Sequence, residues 1–271
     1  MQVKLTFGEQ ARLWEGGTTS IKALDKLMRG NDYFFHNNEK DNKQAQQFYK
    51  EATNIDKNYA AAHAMLGFTH IFDLFFEWSK SPLKSFEKAE ICVENALQIN
   101  DSLDVAHILL GWIYLIKRQY DEAIKEGERA IELNPNGAEA HANLGFLLLR
   151  SDKVELAINL IKRAFRLNPN PHTHYYMFLA MAYNRNEQYE KAIEVSKKGL
   201  SSDPDYLSLH LELVGSFISL NRIKEAHKAV EEVLRINPNF SLEYFAKISP
   251  YKNQETLDKF IGALRKAGLP E

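Results

Sequence analysis

Histidine, cysteine and clustered carboxylates are the side chains in this sequence able to bind a metal, move a proton or attack an electrophile. Four of its nine histidines share a setting: His63, His107, His141 and His210 each precede a Leu-Gly or Leu-Val pair by three residues. His107 and His141 lie 34 positions apart, which marks them as equivalent points of a repeating unit. Equivalent helical positions in stacked units are spaced by about 10 Å, so these imidazoles cannot converge on one ion. His172-Thr173-His174 is a closer pair, but the nearby sequence offers no third ligand. The single Cys92 cannot form an internal disulfide, fits a reducing compartment, and reads as a small apolar filler. Asp121, Glu122, Glu126 and Glu128 stand beside Lys125 and Arg129, the pattern of a solvated helix face with i,i+4 pairs. A phosphate-cradling Gly-rich loop, a metalloprotease helix and a nucleophile elbow are all missing. No catalytic residue, metal or cofactor is nominated, and the chain reads as a non-enzyme.

The elements carrying these residues follow from the stretch Asp104 to Gly137, 34 residues long. Its Leu110-Gly111, Ala123, Ala130 and Pro135 return 34 positions later as Leu144-Gly145, Ala157, Ala164 and Pro169. Small residues at Gly111, Ala123 and Ala130 let helix backbones approach closely. Pro135 disfavours the helical conformation at Asn134, so it should stop the second helix, and Asn136 can cap the next first helix. This pattern resembles the tetratricopeptide repeat (TPR) family, built of 34-residue helix–turn–helix units. The resemblance implies an all-α fold, a right-handed α-solenoid closed by a C-terminal capping helix.

In chain order, residues 1–19 form a lead-in. Val3, Leu5 and Phe7 alternate as a short strand would, Thr6 and Glu9 have capping-box spacing, and a helix through Trp14 ends at Gly16-Gly17. A lone strand has nothing to pair with, so we expect the natural polypeptide to begin earlier. Six repeats fill residues 20–240, at about 23–59, 60–103, 104–137, 138–172, 173–206 and 207–240. The first has extra residues between its helices, and Lys57 replaces the closing Pro. The second carries an aromatic-rich insertion around Asp73 to Trp78 that should lengthen its first helix, with Ser81-Pro82 as cap and first residue of the next. Residues 241–271 form the capping helices, their apolar face made by Leu257, Phe260, Ile261 and Leu264.

Composition excludes several classes. A net charge of −2 without a basic stripe argues against nucleic acid. The longest apolar run, His107 to Ile116, is half of what a bilayer requires, and Met1 to Leu5 lacks a signal-peptide apolar core. We therefore expect a cytoplasmic protein without a membrane span.

In the TPR family the first helices line a concave groove. Carried over position by position, the resemblance nominates Phe68, Ile108, Trp112, Leu115, Phe146, Leu149, Arg150, Met177, Met181, Asn184 and Arg185 as a largely apolar partner-binding groove. Trp112 and Phe146 would be its anchors, and Arg150 and Arg185 could engage a carboxylate. The competing accounts are that these side chains pack between repeats, or that the chain's own tail fills the groove. Leu27 stands where chaperone-binding members carry a clamp Lys, which argues against that subclass. The flanks VKLTFGEQARLW and SPYKNQETLDKFIGALRKAGLPE look like the C-terminal TPR region of bacterial multidomain adenylate/guanylate cyclase-like proteins. That likeness implies a regulatory module of a larger signalling protein, without a cyclase's metal-binding Asp residues or nucleotide pocket. The expected partner is a protein or peptide. Self-association and an attached cyclase domain stay open, and the alternative is a free-standing co-chaperone or assembly factor.

Overall fold

The structure, a computed structural model, describes residues 17–271. The strand, capping box and helix expected before Gly17 lie outside these residues. Every regular element among the described residues is an α-helix. They pair as α1 (Ile21–Phe34) with α2 (Glu39–Ile55) and α3 (Ala60–Phe75) with α4 (Pro82–Ile99), and α5 (Asp104–Ile116) is followed in the chain by α6 (Tyr120–Leu133). Then come α7 (Ala138–Arg150) with α8 (Val154–Leu167), α9 (Thr173–Arg185) with α10 (Tyr189–Ser202), and α11 (Leu207–Ser219) with α12 (Ile223–Ile236). Short α13 (Leu242–Ile248) and α14 (Gln254–Lys266) end the chain. The described chain forms two compact units divided within α5, one running to Ile113 and one from Tyr114 to Glu271.

The stops of the second helices have a cause that the proline landmarks obscured. All six end on an Asx residue: Asp56, Asn100, Asn134, Asn168, Asp203 and Asn237. Four of these accept the backbone N–H two residues on, at 3.0 to 3.1 Å, closing an Asx turn. The break is the same at Asp56 and Asn100, where Lys57 and Asp101 follow instead of proline. Proline reinforces a stop that Asp or Asn already makes. The expected cap Asn136 is not used, for α7 starts one residue later behind Gly137. Ser81 does precede Pro82 at the start of α4, but its hydroxyl makes no capping bond.

The turn between the helices of each pair also has one recurring feature. Asn37, Glu77, Arg118, Asp152, Glu187 and Asn221 each adopt positive φ, between 49° and 68°. Left-handed backbone ends the first helix, and glycine would adopt it most cheaply. None of the six is glycine.

Close approach within a pair rests on small residues. A Cβ on Gly145 would lie 2.6 Å from Cγ1 of Ile161 and 3.2 Å from the backbone oxygen of Ala157. Gly67 faces Cys92 and the backbone of Ala89 on its partner α4, and also Leu109 on the following α5. The insertion in the second repeat makes α3 16 residues long, against 13 for α5, α7, α9 and α11. In the second unit, Leu257, Ile261 and Leu264 of α14 are buried with Val214 and Phe217 of α11 and Val233 of α12. The Leu242 N–H donates to the Pro270 carbonyl at 2.9 Å, tying the last residues back onto α13.

Candidate partner-binding surfaces

The four equivalent histidines serve the turns. His63, His107 and His210 each place Nε2 against the carbonyl six residues earlier, at 3.1, 2.8 and 2.8 Å. His141 instead uses Nδ1 toward the Gly137 carbonyl, at 2.9 Å. His174 meets Glu139 at 3.0 Å, and the Tyr175 hydroxyl donates to the same carboxylate at 3.1 Å. Burial pushes the Cys92 thiol up to about 12, against a small opposing pull from Lys88, so it stays protonated and inert at neutral pH.

In the first unit, Phe68, Ile108 and Trp112 are all buried. Trp112 is the centre of an aromatic cluster. It meets Phe68 and Phe75 edge-on at 6.5 and 5.6 Å between centroids, and Phe72 at 6.4 Å. Phe72 stacks on Phe34 at 4.7 Å, and Phe76 on Trp78 at 4.8 Å. Phe72, Phe75, Phe76 and Trp78 keep partial exposure. The residues nominated from the repeat positions thus form the floor, and those of the insertion form the accessible rim. The insertion's aromatic richness was visible in sequence, but the family's groove positions do not include it.

In the second unit, Leu115 and Leu149 are 0% exposed and can touch only the chain itself. Phe146 is stacked on Phe178 at 4.6 Å, and Met177 and Met181 are buried beside them on α9. Asn184 donates to the Glu212 carbonyl at 2.9 Å and its carboxylate at 2.7 Å, and accepts from the Ser216 hydroxyl at 2.6 Å. Burial pushes the Glu212 carboxyl up to about 7, although the Asn184 bond and the charges of Arg150 and Arg185 pull the other way.

The two arginines do not face open solvent. The ring of Tyr251, from the link between α13 and α14, lies 4.2 Å from the Arg150 guanidinium and 4.7 Å from that of Arg185. The Lys252 N–H donates to the Arg150 carbonyl at 3.1 Å, and Arg118 donates to the Tyr251 carbonyl at 3.2 Å. Arg185 also donates to the Leu149 carbonyl and pairs with Asp152 at 3.3 Å. Between α9, α11 and α14 a cleft of about 320 Å³ remains, lined by Met181, Asn184, Arg185, Glu212, Tyr251 and Phe260 among others. Glu212 and Tyr251 were not nominated from sequence. Glu212 sits in the apolar run LELVG, where a buried acid has no separate signature, and Tyr251 follows the last recognisable repeat.

Among relatives, residues of this chain align with "Putative adenylate cyclase 3" of Rhizobium meliloti (strain 1021) at 29% identity over 123 residues. That match takes in 45% of this chain but only 21% of the relative's length. Solved structures share the fold at low identity. Cut9 with Hcn1, from an APC/C hetero-tetramer, gives a TM-score of 0.63 at 16% identity, over 97% of this chain and 47% of that one. PilW, a type IV pilus biogenesis factor, gives 0.56 at 15% identity, over 77% of this chain and 90% of that one. Pseudomonas aeruginosa pilF gives 0.54 at 17% identity, over 79% and 93%. No helix among the described residues is long and apolar enough to cross a membrane. A family model covers residues 19–216, so the chain belongs to the family of the tetratricopeptide repeat protein 21 C-terminal ARM domain and is a TPR protein with an α-solenoid fold.

Proposed function

We propose that this chain is a non-catalytic scaffold that holds a segment of a partner protein, in the cytoplasm, as the regulatory module of a larger bacterial signalling protein. The observation that carries the reading is the half-exposed aromatic rim of Phe72, Phe75, Phe76 and Trp78 above the buried Trp112. Rigid aromatics have little rotamer freedom to lose and are the common anchors of binding hot spots. The nominated residues of the second unit act here as support: the Phe146 ring lies 5.0 Å from the Arg150 guanidinium, and the Leu149 carbonyl accepts from Arg185. The signalling context is supported by the partial likeness to the R. meliloti protein named as a cyclase. The alternative, a free-standing assembly factor, draws on the shared fold with a pilus biogenesis factor.

The test is retention of a partner from source-cell extract on the immobilised chain. Trp78→Ala should lower retention at least tenfold, roughly the 1.4 kcal/mol of a modest anchor, while the melting temperature holds. The exposed Lys153→Ala serves as the neutral control. Equal retention by both variants and the parent chain would overturn the aromatic rim as the binding surface.

A further inference from the structure

Three of the left-handed turn residues share a task. Arg118 donates to the Tyr251 carbonyl at 3.2 Å, Asp152 accepts from the Asn253 amide at 3.3 Å, and Glu187 accepts from Lys259 at 2.7 Å. These residues have φ of 61°, 68° and 57°, a left-handed backbone that glycine would adopt without strain. Each turn therefore keeps a strained side chain, and each side chain reaches the C-terminal segment. Asn221, the fourth such residue in this unit, makes no bond to that segment.

The segment is held as a peptide bound in trans would be. Its backbone gives one donor and one acceptor, from Lys252 to the Arg150 carbonyl and from Tyr251 to the Arg118 guanidinium. Such contacts are indifferent to sequence, and selectivity comes from the side chain between them. That side chain is the Tyr251 ring, 4% exposed between two guanidinium groups. The ring meets both guanidinium groups through its face, while Arg185 also donates to the Leu149 carbonyl and pairs with Asp152. Nε and Nη1 of Arg150, a residue 6% exposed, have no hydrogen-bond partner. A carboxylate accepts two guanidinium N–H groups together, which a ring face cannot do.

We propose that Arg118, Arg150, Asp152 and Arg185 form a docking strip for an extended peptide bearing an aromatic residue beside an acidic one, and that Pro250 to Asn253 occupies it as a built-in competitor. This rests on the reading of the chain as an interaction scaffold, but it uses a surface separate from the aromatic rim. The aromatic ring takes the place of Tyr251, and the neighbouring carboxylate takes the Arg150 donors that the chain's own segment leaves unpaired.

The probe is a labelled peptide of residues 248–255, ISPYKNQE, titrated against the full chain by fluorescence anisotropy. Full-length Tyr251→Ala should bind it at least tenfold more tightly than the parent, because the competitor has lost its ring. A peptide with Lys252→Glu should bind more tightly still, and one with Tyr251→Ala should not bind. Arg118→Gly guards against a merely loosened fold: it removes one hold on the segment while easing the turn, and should speed amide exchange at residues 249–253. Asn221→Gly should leave that exchange unchanged. Equal peptide affinity for the parent and Tyr251→Ala chains, or equal binding of the peptide lacking its ring, would overturn the strip. That failure would leave the Trp78 result standing, so the two readings fall separately.

Discussion

Two glycine-to-alanine changes within helices should shift stability in opposite directions. Gly262 lies inside α14 with nothing within 4 Å of where a Cβ would sit. Alanine there gains helix propensity worth about 0.5–1 kcal/mol and meets no neighbour. Gly145 lies inside α7 and gains the same propensity, but its Cβ would sit 2.6 Å from Ile161 Cγ1 and 3.2 Å from the Ala157 oxygen. Ile161 is 0% exposed and cannot swing into solvent, and the oxygen belongs to the backbone of α8. Relief therefore requires α7 and α8 to part, and overpacking of this kind costs about 1–3 kcal/mol. After the propensity gain, Gly145→Ala should destabilise by roughly 1–2 kcal/mol. In a chain of this size each kcal/mol moves the melting temperature by about 2–4 °C. Calorimetry should show Gly262→Ala melting ~1–4 °C above the parent and Gly145→Ala ~2–8 °C below it. If both variants shift the same way, the close approach of α7 and α8 does not limit stability, and the packing argument fails.

Two further outcomes follow from the second unit. Because burial raises Glu212 to about 7 from an ordinary value of 4.5, the folded chain keeps a proton that the unfolded chain has released between those values. Stability is then full below about pH 4.5, falls as pH rises toward 7, and is lower by at most roughly 3 kcal/mol above it. Glu212→Gln should flatten this part of the urea-denaturation profile, and an unchanged slope would refute the assignment. Deleting residues 254–271 should uncover Val214 and Phe217, raise dye binding to apolar surface and drive association in light scattering. A truncated chain that stays monomeric with the parent's melting temperature would show that α14 covers nothing essential.

The architecture was legible because it depends on short-range regularity. Leu110-Gly111, Ala123 and Pro135 returning after 34 residues specify which faces are small and which are apolar, and each repeat repeats the same local problem. The reason for each stop was only half legible. Proline drew attention, while an Asx residue ends all six second helices, and in four of them it closes a local hydrogen bond.

The surfaces were decided at longer range. Leu115 and Leu149 are groove residues by the family pattern, yet both are closed off completely, because burial is set by what the neighbouring helices bring. Arg150 and Arg185 read as charged groove entries open to a carboxylate, and instead hold a ring from about 70 to 100 positions away in the chain. Nothing in SPYKN marks Tyr251 as their occupant, since no periodicity links it to the repeats. The repeat pattern, being local, was readable from the chain. Which arginine, turn and ring meet was decided only when the last helix folded back onto α11.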